Sequence, residues 1–225
     1  MLPAAKSLRQ SRRFTLRCAS SSRKPPAAIR SALTLDVSNI TQGYFVAQSD
    51  SADLVTSLQI TAPTGVLYAY FIDPGENAVI PFTEGNGDYT VVGYQQIQGD
   101  QYAALYSEIL TVELENDFFP FLYPNQYVNF SPDSEASKLA LSMVSEDTTD
   151  VDALKQIYNY VVNNLTYDYD KAETVETGYL PDVDETLSTK TGICFDYAAL
   201  TTAMLRSCDI PCKLQIGYTG DIKHA

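Results

Sequence analysis

The sequence is poor in basic residues once its first 30 positions are set aside. Residues 31–225 hold seven Lys and Arg against 28 Asp and Glu, a net charge of −21. A negatively charged domain repels phosphate backbones and anionic lipid headgroups, because binding either one requires a basic face. The composition therefore argues against nucleic acids and membrane surfaces as partners of this part of the chain.

Long apolar segments are also missing. No stretch approaches the roughly 18–20 consecutive apolar residues that cross a bilayer, so the sequence predicts no membrane span. Residues 1–30 carry eight basic residues and no acidic one, and they lack the apolar core of a signal peptide. Their composition is like that of a transit peptide, and the alternatives are a disordered tail or a start codon assigned too far upstream. We expect a basic, disordered leader over 1–30.

Cysteine and histidine are scarce as well. Four cysteines are too few for a disulfide scaffold, and His224 is the only histidine. Cys208 and Cys212 have a C-x3-C spacing, but a structural zinc site needs four ligands and the histidine lies twelve residues further on. We therefore predict neither a metal ion nor any other cofactor, and the sequence does not specify an oligomeric state.

The first half of the chain has the pattern of β structure. Short apolar and aromatic runs are separated by turn sequences such as P-T-G and G-N-G, which is typical of consecutive strands. The runs cover residues 44–47, 55–61, 66–72, 89–94 and 103–114. Six or seven strands at this spacing predict a β-sandwich-like domain over 31–117. Two prolines and several aromatic residues then predict an ordered linker over 118–130.

Beyond residue 130 the apolar period changes from two residues to 3.6, which predicts α-helices. Ser131 is the expected N-cap of the first helix. Thr149 or Asp150 is expected to cap the second, whose apolar residues between 151 and 165 should share one face. Residues 166–187 are predicted to form a solvated loop, since the acidic cluster at 167–170 lacks the Gly and Glu of a calcium-binding loop.

Residues 190–225 contain the pattern that indicates chemistry. Gly192 precedes Cys194, and apolar residues then recur at helical spacing, which predicts Cys194 at a helix N-terminus. Unpaired N–H groups and the positive end of the helix dipole favour a thiolate there, and the thiolate is the nucleophilic form. The same N–H groups can stabilise an oxyanion on the attacked acyl carbon.

Chain geometry predicts that His224 returns to this cysteine. A helix of about 13 residues carries the chain roughly 20 Å away, and a strand over 213–218 brings it back by roughly 20 Å. A neutral imidazole there can take the thiol proton and later return it to a leaving amine. The alternative is structural, with Cys194 as a small buried residue at the start of a helix.

The spacing of these residues resembles the core signature of the transglutaminase-like superfamily. The matching positions are G-I-C-F-D-Y-A at 192–198, I-P at 210–211, G-Y at 217–218 and H-A at 224–225. This resemblance implies that Cys194 is the nucleophile and His224 its base. Cys208 stands where the family usually has a glycine in the turn after the helix. Residues from about 31 onward also look like bacterial members that carry an N-terminal β domain.

The resemblance implies an α+β fold. A β-sandwich-like domain over 31–117 and the linker over 118–130 would precede a transglutaminase-like domain of the papain-like cysteine-peptidase type over 131–225. The third catalytic residue of the family, an Asp on the strand after the histidine, would lie beyond Ala225. We therefore expect a truncated domain and leave open whether this chain is itself an enzyme.

The function implied by the resemblance is thiol acyl transfer on amide groups of a protein or peptide substrate. Resolution of the thioester by an amine or by water gives cross-linking, deamidation or peptide hydrolysis. The alternative is a non-catalytic cell-envelope or extracellular binding protein with a degenerate transglutaminase-like domain. Similar bacterial proteins are exported or envelope-associated, which implies that location here. The cytoplasm is the second choice, because no signal peptide is visible.

Overall fold

The computed structural model describes residues 33–99, 101–219 and 222–224. Its first half contains seven antiparallel strands, which overlap all five predicted runs. Their bounds are β1 Leu33–Asp36, β2 Tyr44–Ser49, β3 Thr56–Thr61, β4 Leu67–Ile72, β5 Asn77–Pro81, β6 Gly87–Gln98 and β7 Gln101–Val112. One sheet has the order β1-β2-β5 and the other has the order β4-β3-β6-β7.

The two sheets share one hydrophobic cluster. Phe45 and Ile80 from the first sheet and Leu58 and Val91 from the second are each 0% exposed. Leu58 and Ile60 are two residues apart on β3, so both point to the same face of their sheet. The core of this half therefore lies between the sheets, as expected for a sandwich-like arrangement.

The second half contains five helices and four short strands among the residues described. The helices are α1 Glu135–Met143, α2 Asp150–Asn164, α3 Tyr169–Thr174, α4 Val183–Thr189 and α5 Cys194–Ser207. β8 Thr166–Tyr167 pairs in parallel with β9 Thr191–Gly192, and β10 Gly217–Thr219 pairs antiparallel with β11 Ile222–His224. The predicted α+β fold class is confirmed, and the predicted domain boundaries stay a proposal. No described helix combines the length and apolarity that a membrane crossing requires.

Helix α5 is the centre of the second hydrophobic cluster. Ala199, Leu200, Ala203 and Met204 are each 0% exposed and pack with buried residues of α1, α2 and α4. A helix that is apolar on several sides is buried by its neighbours rather than lying on a surface. The residue at the N-terminus of α5 is therefore held by a well-packed element.

The segment around residues 119–123 joins the two halves. The ring of Tyr123 lies 4.7 Å from that of Tyr44 in the first sheet. Arg206, 3% exposed, donates to the Tyr123 carbonyl at 2.6 Å and twice to the Cys212 carbonyl, at 2.7 and 3.0 Å. Burial lowers the pKa of Arg206 to about 10, which still leaves the guanidinium charged at neutral pH. The C-terminal end of α5 is thus tied to the linker through charge-assisted hydrogen bonds.

Two predictions about helix starts have different outcomes. Thr149 is the N-cap of α2, as predicted, and accepts from the Asp152 N–H at 3.1 Å. The predicted cap at Ser131 is wrong, because α1 begins at Glu135 with Ser134 as its N-cap. Residues 131–134 form a turn in which the Ser131 N–H donates to Ser134 Oγ at 3.0 Å.

The predicted single apolar face of α2 is wrong in part. Ala153, Ile157 and Val161 are buried, whereas the apolar residues on the other side are exposed. The exposed ones are Val151, Leu154, Tyr158 and Val162. The helix therefore buries a narrow stripe, because one side of it has no neighbouring element among the residues described.

Two segments differ from the sequence-based prediction. Residues 166–187, predicted as a solvated loop, contain β8, α3 and the start of α4. Asp168 caps α3 through the Lys171 N–H, and Asp182 caps α4 through two N–H groups, so these acidic residues start helices. The strand predicted over 213–218 is wrong as well. It begins only at Gly217, since no described strand pairs with residues 211–216.

Candidate active site

Cys194 is the first residue of α5, with Ile193 as the N-cap in an extended conformation. Its side chain is half-buried and its thiol is free. The first N–H groups of a helix have no partner within the helix, and they carry the positive end of its dipole. The structure therefore places Cys194 at a helix N-terminus, as the sequence predicted.

Asp196 holds this helix start in place. Its carboxylate is 0% exposed and accepts from the Ile193 N–H at 2.8 Å, which closes the first turn. Lys171 Nζ donates to the same oxygen at 2.8 Å, and the Tyr179 hydroxyl donates to the other oxygen. A buried carboxylate requires such partners, because an unpaired charge in the interior is strongly unfavourable.

Lys171 connects the α3 segment to this carboxylate. Burial alone would lower the pKa of Lys171, but hydrogen bonds to Asp196 and Tyr179 and the charge of Asp196 outweigh burial and raise it. The ammonium also donates to the Tyr179 hydroxyl at 2.7 Å and lies 4.4 Å from the centre of that ring. The lysine therefore stays charged at neutral pH and neutralises Asp196.

Gly192 leaves the space that Asp196 occupies. A methyl group at Gly192 would lie 2.6 Å from Asp196 Cβ and 2.9 Å from its Oδ2. Contacts this short are not tolerated without a shift of the helix start. The glycine and the aspartate of the G-x-C-x-D pattern thus pack against each other, and Cys194 lies between them in the sequence.

Tyr167 lies against the cysteine, and sequence reasoning missed it. Burial is the main cause that raises the pKa of Tyr167, and the nearby Cys194 side chain raises it further. The β8–β9 register places Tyr167 opposite Gly192, two residues before the cysteine. The Asp168 N–H donates to the Gly192 carbonyl at 2.9 Å and holds this register. The position of Tyr167 depends on a parallel pairing over two residues, and a pairing this short cannot be detected from sequence.

The rings around Tyr167 form an aromatic wall beside the thiol. Tyr169 lies 5.0 Å and Tyr197 lies 6.3 Å from Tyr167, measured between ring centres. On the other side, Phe195 lies 6.3 Å from both Tyr127 and Tyr179. The start of α5 is therefore flanked by aromatic residues on both sides.

The position of His224 is described only along the backbone. His224 is the last residue of β11 and lies opposite Gly217 on β10. Its side chain and Ala225 lie outside the described residues. The approach of the imidazole to Cys194 therefore remains a prediction.

Cys208 and Cys212 lie near the end of α5. Cys208 is 1% exposed, and burial raises the pKa of its thiol to about 11. The next residue, Asp209, takes the left-handed conformation with φ of 57°, so Cys208 avoids the conformation that a turn glycine would adopt. Among the residues described, no group of three His, Cys, Asp or Glu is arranged to hold a metal ion.

Comparison with known proteins identifies this part of the chain. Residues 137–225 match the model of the transglutaminase-like superfamily. These residues therefore form a transglutaminase-like domain. The resemblance inferred from the positions around Cys194 and His224 is thereby confirmed.

Two further proteins are similar to parts of this chain. UPF0252 protein MJ1282 from Methanocaldococcus jannaschii is 42% identical over 57 residues, which cover 23% of this chain and 16% of that protein. A crystal structure from Cytophaga hutchinsonii is described as that of a candidate cysteine protease. Its alignment covers 75% of this chain and 63% of the chain in that crystal structure. The identity is 19% and the TM-score is 0.37. The chain thus spans less than two thirds of the length of either protein.

Substitution of Gly192 tests the packing of the transglutaminase-like site. We expect Gly192→Ala to lower the free energy of unfolding by about 1–3 kcal/mol, the range for overpacking, because the new methyl group displaces Asp196. Gly217→Ala is the matched control, since no atom lies within 4 Å of the added methyl group. Urea denaturation measures both variants, and an equal change in the two would contradict the close approach of Gly192 and Asp196.

Alkylation tests the environment of Cys194. At pH 6.5 we expect iodoacetamide to modify Cys194 at least about tenfold faster than Cys208 or Cys212, because the helix N-terminus favours the thiolate. Peptide-resolved mass spectrometry measures the three rates, and in urea they should converge. Equal rates in the folded protein would show that the helix start does not activate this thiol.

Proposed function

We propose that this domain catalyses thiol acyl transfer on amide groups of protein or peptide substrates, with Cys194 as the nucleophile. The observation that carries the proposal is the free thiol of Cys194 at the first residue of α5, with Tyr167 brought next to it by the pairing of Tyr167 with Gly192. A nucleophile and a hydrogen-bond donor on the same spot are what acyl transfer through a tetrahedral intermediate requires.

In the first step, Cys194 Sγ attacks the amide carbonyl carbon, and His224 is the proposed base that takes the thiol proton. The C–N bond then breaks, and ammonia or an amine leaves with that proton, which gives a thioester. Once Sγ has formed the acyl bond, the Tyr167 hydroxyl and the Cys194 N–H can donate to the oxyanion.

In the second step, a primary amine or water attacks the thioester carbon and gives one proton to the proposed base His224. The C–S bond then breaks, and the sulfur either takes that proton back or stays as the thiolate beside the protonated imidazole. An amine gives a new amide bond, and water gives a carboxyl group. An exported or envelope location is part of this proposal and is supported by the family resemblance alone.

Kinetics of two variants test the proposal. The assay follows ammonia release from casein and incorporation of a fluorescent primary amine into it. We expect Cys194→Ala to lower kcat at least about 1000-fold, because the nucleophile is lost. Tyr167→Phe should lower kcat about 100- to 1000-fold with little change in KM, because it removes a donor used mainly in the transition state.

Tyr158→Phe is the matched control, because Tyr158 is 57% exposed on α2. We expect the activity of this variant to equal that of the unmodified protein. Absence of both products with the unmodified chain would favour the non-catalytic binding protein. Full activity of Tyr167→Phe would contradict the role given to its hydroxyl.

A further inference from the structure

A cavity of about 640 Å³ lies between the two halves of the protein. One side is formed by the end of β4, the turn at residues 73–76 and β5, and the other by residues 124–131 and Leu180. The volume falls in the range of about 300–1,000 Å³ that ligand sites occupy. Nothing in the proposed function accounts for it.

The lining of the cavity combines negative charge with exposed apolar surface. Asp73 and Glu76 lie in the turn, and among the residues described no Lys or Arg lines the cavity. Phe71 is 52% exposed and Leu180 is 41% exposed. Asn129 adds an amide that can donate to or accept from a main chain. An occupant should therefore carry positive charge, apolar groups and peptide-like hydrogen-bonding groups together.

Chain neighbours of the cavity lining contact Phe195, the residue after Cys194. Leu180 lines the cavity, and the residue before it, Tyr179, packs edge-on against Phe195. On the opposite side, Gln126 lines the cavity and donates to the Phe71 carbonyl at 2.6 Å. The next residue, Tyr127, also contacts Phe195. Since Phe195 follows Cys194 in the chain, one aromatic wall separates the cavity from the candidate nucleophile.

We propose that this cavity binds an extended, lysine-containing segment of the polypeptide substrate, next to the side chain that reacts with Cys194. A lysine side chain matches the lining, because its methylene stem can cover Phe71 and Leu180 while its ammonium group approaches Asp73 and Glu76. The net charge of −21 on residues 31–225 attracts such a segment over a longer range. This proposal rests on the proposed function, to which it adds the class of substrate.

Peptide binding tests the cavity without turnover. The protein is the full chain with Cys194→Ala, and the probe is a fluorescein-labelled twelve-residue peptide that repeats Gly-Leu-Lys. Its counterpart carries Glu in place of Lys. We expect the lysine peptide to bind and the glutamate peptide not to bind in fluorescence anisotropy. Asp73→Asn together with Glu76→Gln should weaken binding about 5- to 30-fold, as expected for two partly screened charge pairs.

Glu146→Gln together with Asp147→Asn is the matched control. Both residues are exposed in the loop between α1 and α2 and outside the cavity lining, and the pair removes the same amount of charge. We expect less than about a twofold change in Kd for this pair, since distant exposed charges are screened. Equal weakening by the two pairs, binding of the glutamate peptide, or no binding of the lysine peptide would each overturn the proposal.

Failure of the cavity proposal can be distinguished from failure of the proposed function. Cys194→Ala removes the nucleophile and leaves the cavity lining intact, so failure to bind counts against the cavity alone. Absence of acyl transfer by the unmodified chain counts against the catalytic role alone.

Discussion

The geometry of the candidate site depends on one buried carboxylate, that of Asp196. Its oxygens accept from the Ile193 N–H, from Lys171 and from the Tyr179 hydroxyl, and Gly192 lacks a side chain where the carboxylate lies. Fully satisfied polar networks of this kind impose one arrangement, because every partner left unpaired in the interior is costly. The first turn of α5 and the segment that carries α3 are thereby fixed to each other.

Two consequences follow for the sulfur of Cys194. Cys194 begins α5, where the first N–H groups have no partner within the helix, and the β8–β9 pairing places Tyr167 opposite Gly192, two residues before the cysteine. At the other end of α5, Arg206 connects the helix to the linker and so to the first sheet. The cavity lies between the two halves that this linker joins.

Much of this arrangement could be predicted from local sequence. The strand runs, the N-cap at Thr149 and the helix beginning at Cys194 follow from periodicity and turn chemistry, which act over short distances. The role of Tyr167 could not, because it depends on a two-residue parallel pairing with residues 191–192. Asp168 and Asp182 were assigned to a solvated loop, since a capping residue is recognised only when the short helix after it is known. The apolar residues of α2 were assigned to one buried face because periodicity does not reveal which neighbours are present.

Hydrogen–deuterium exchange of Asp196→Asn tests the central claim most directly. An asparagine keeps the size of the side chain but loses the charge that pairs with Lys171. If the carboxylate holds the site together, amides in residues 168–180 and 191–195 should exchange faster than in the unmodified protein. Strands β3 and β6, in the other half, should exchange at unchanged rates. Unchanged exchange in both segments around the site would contradict the account.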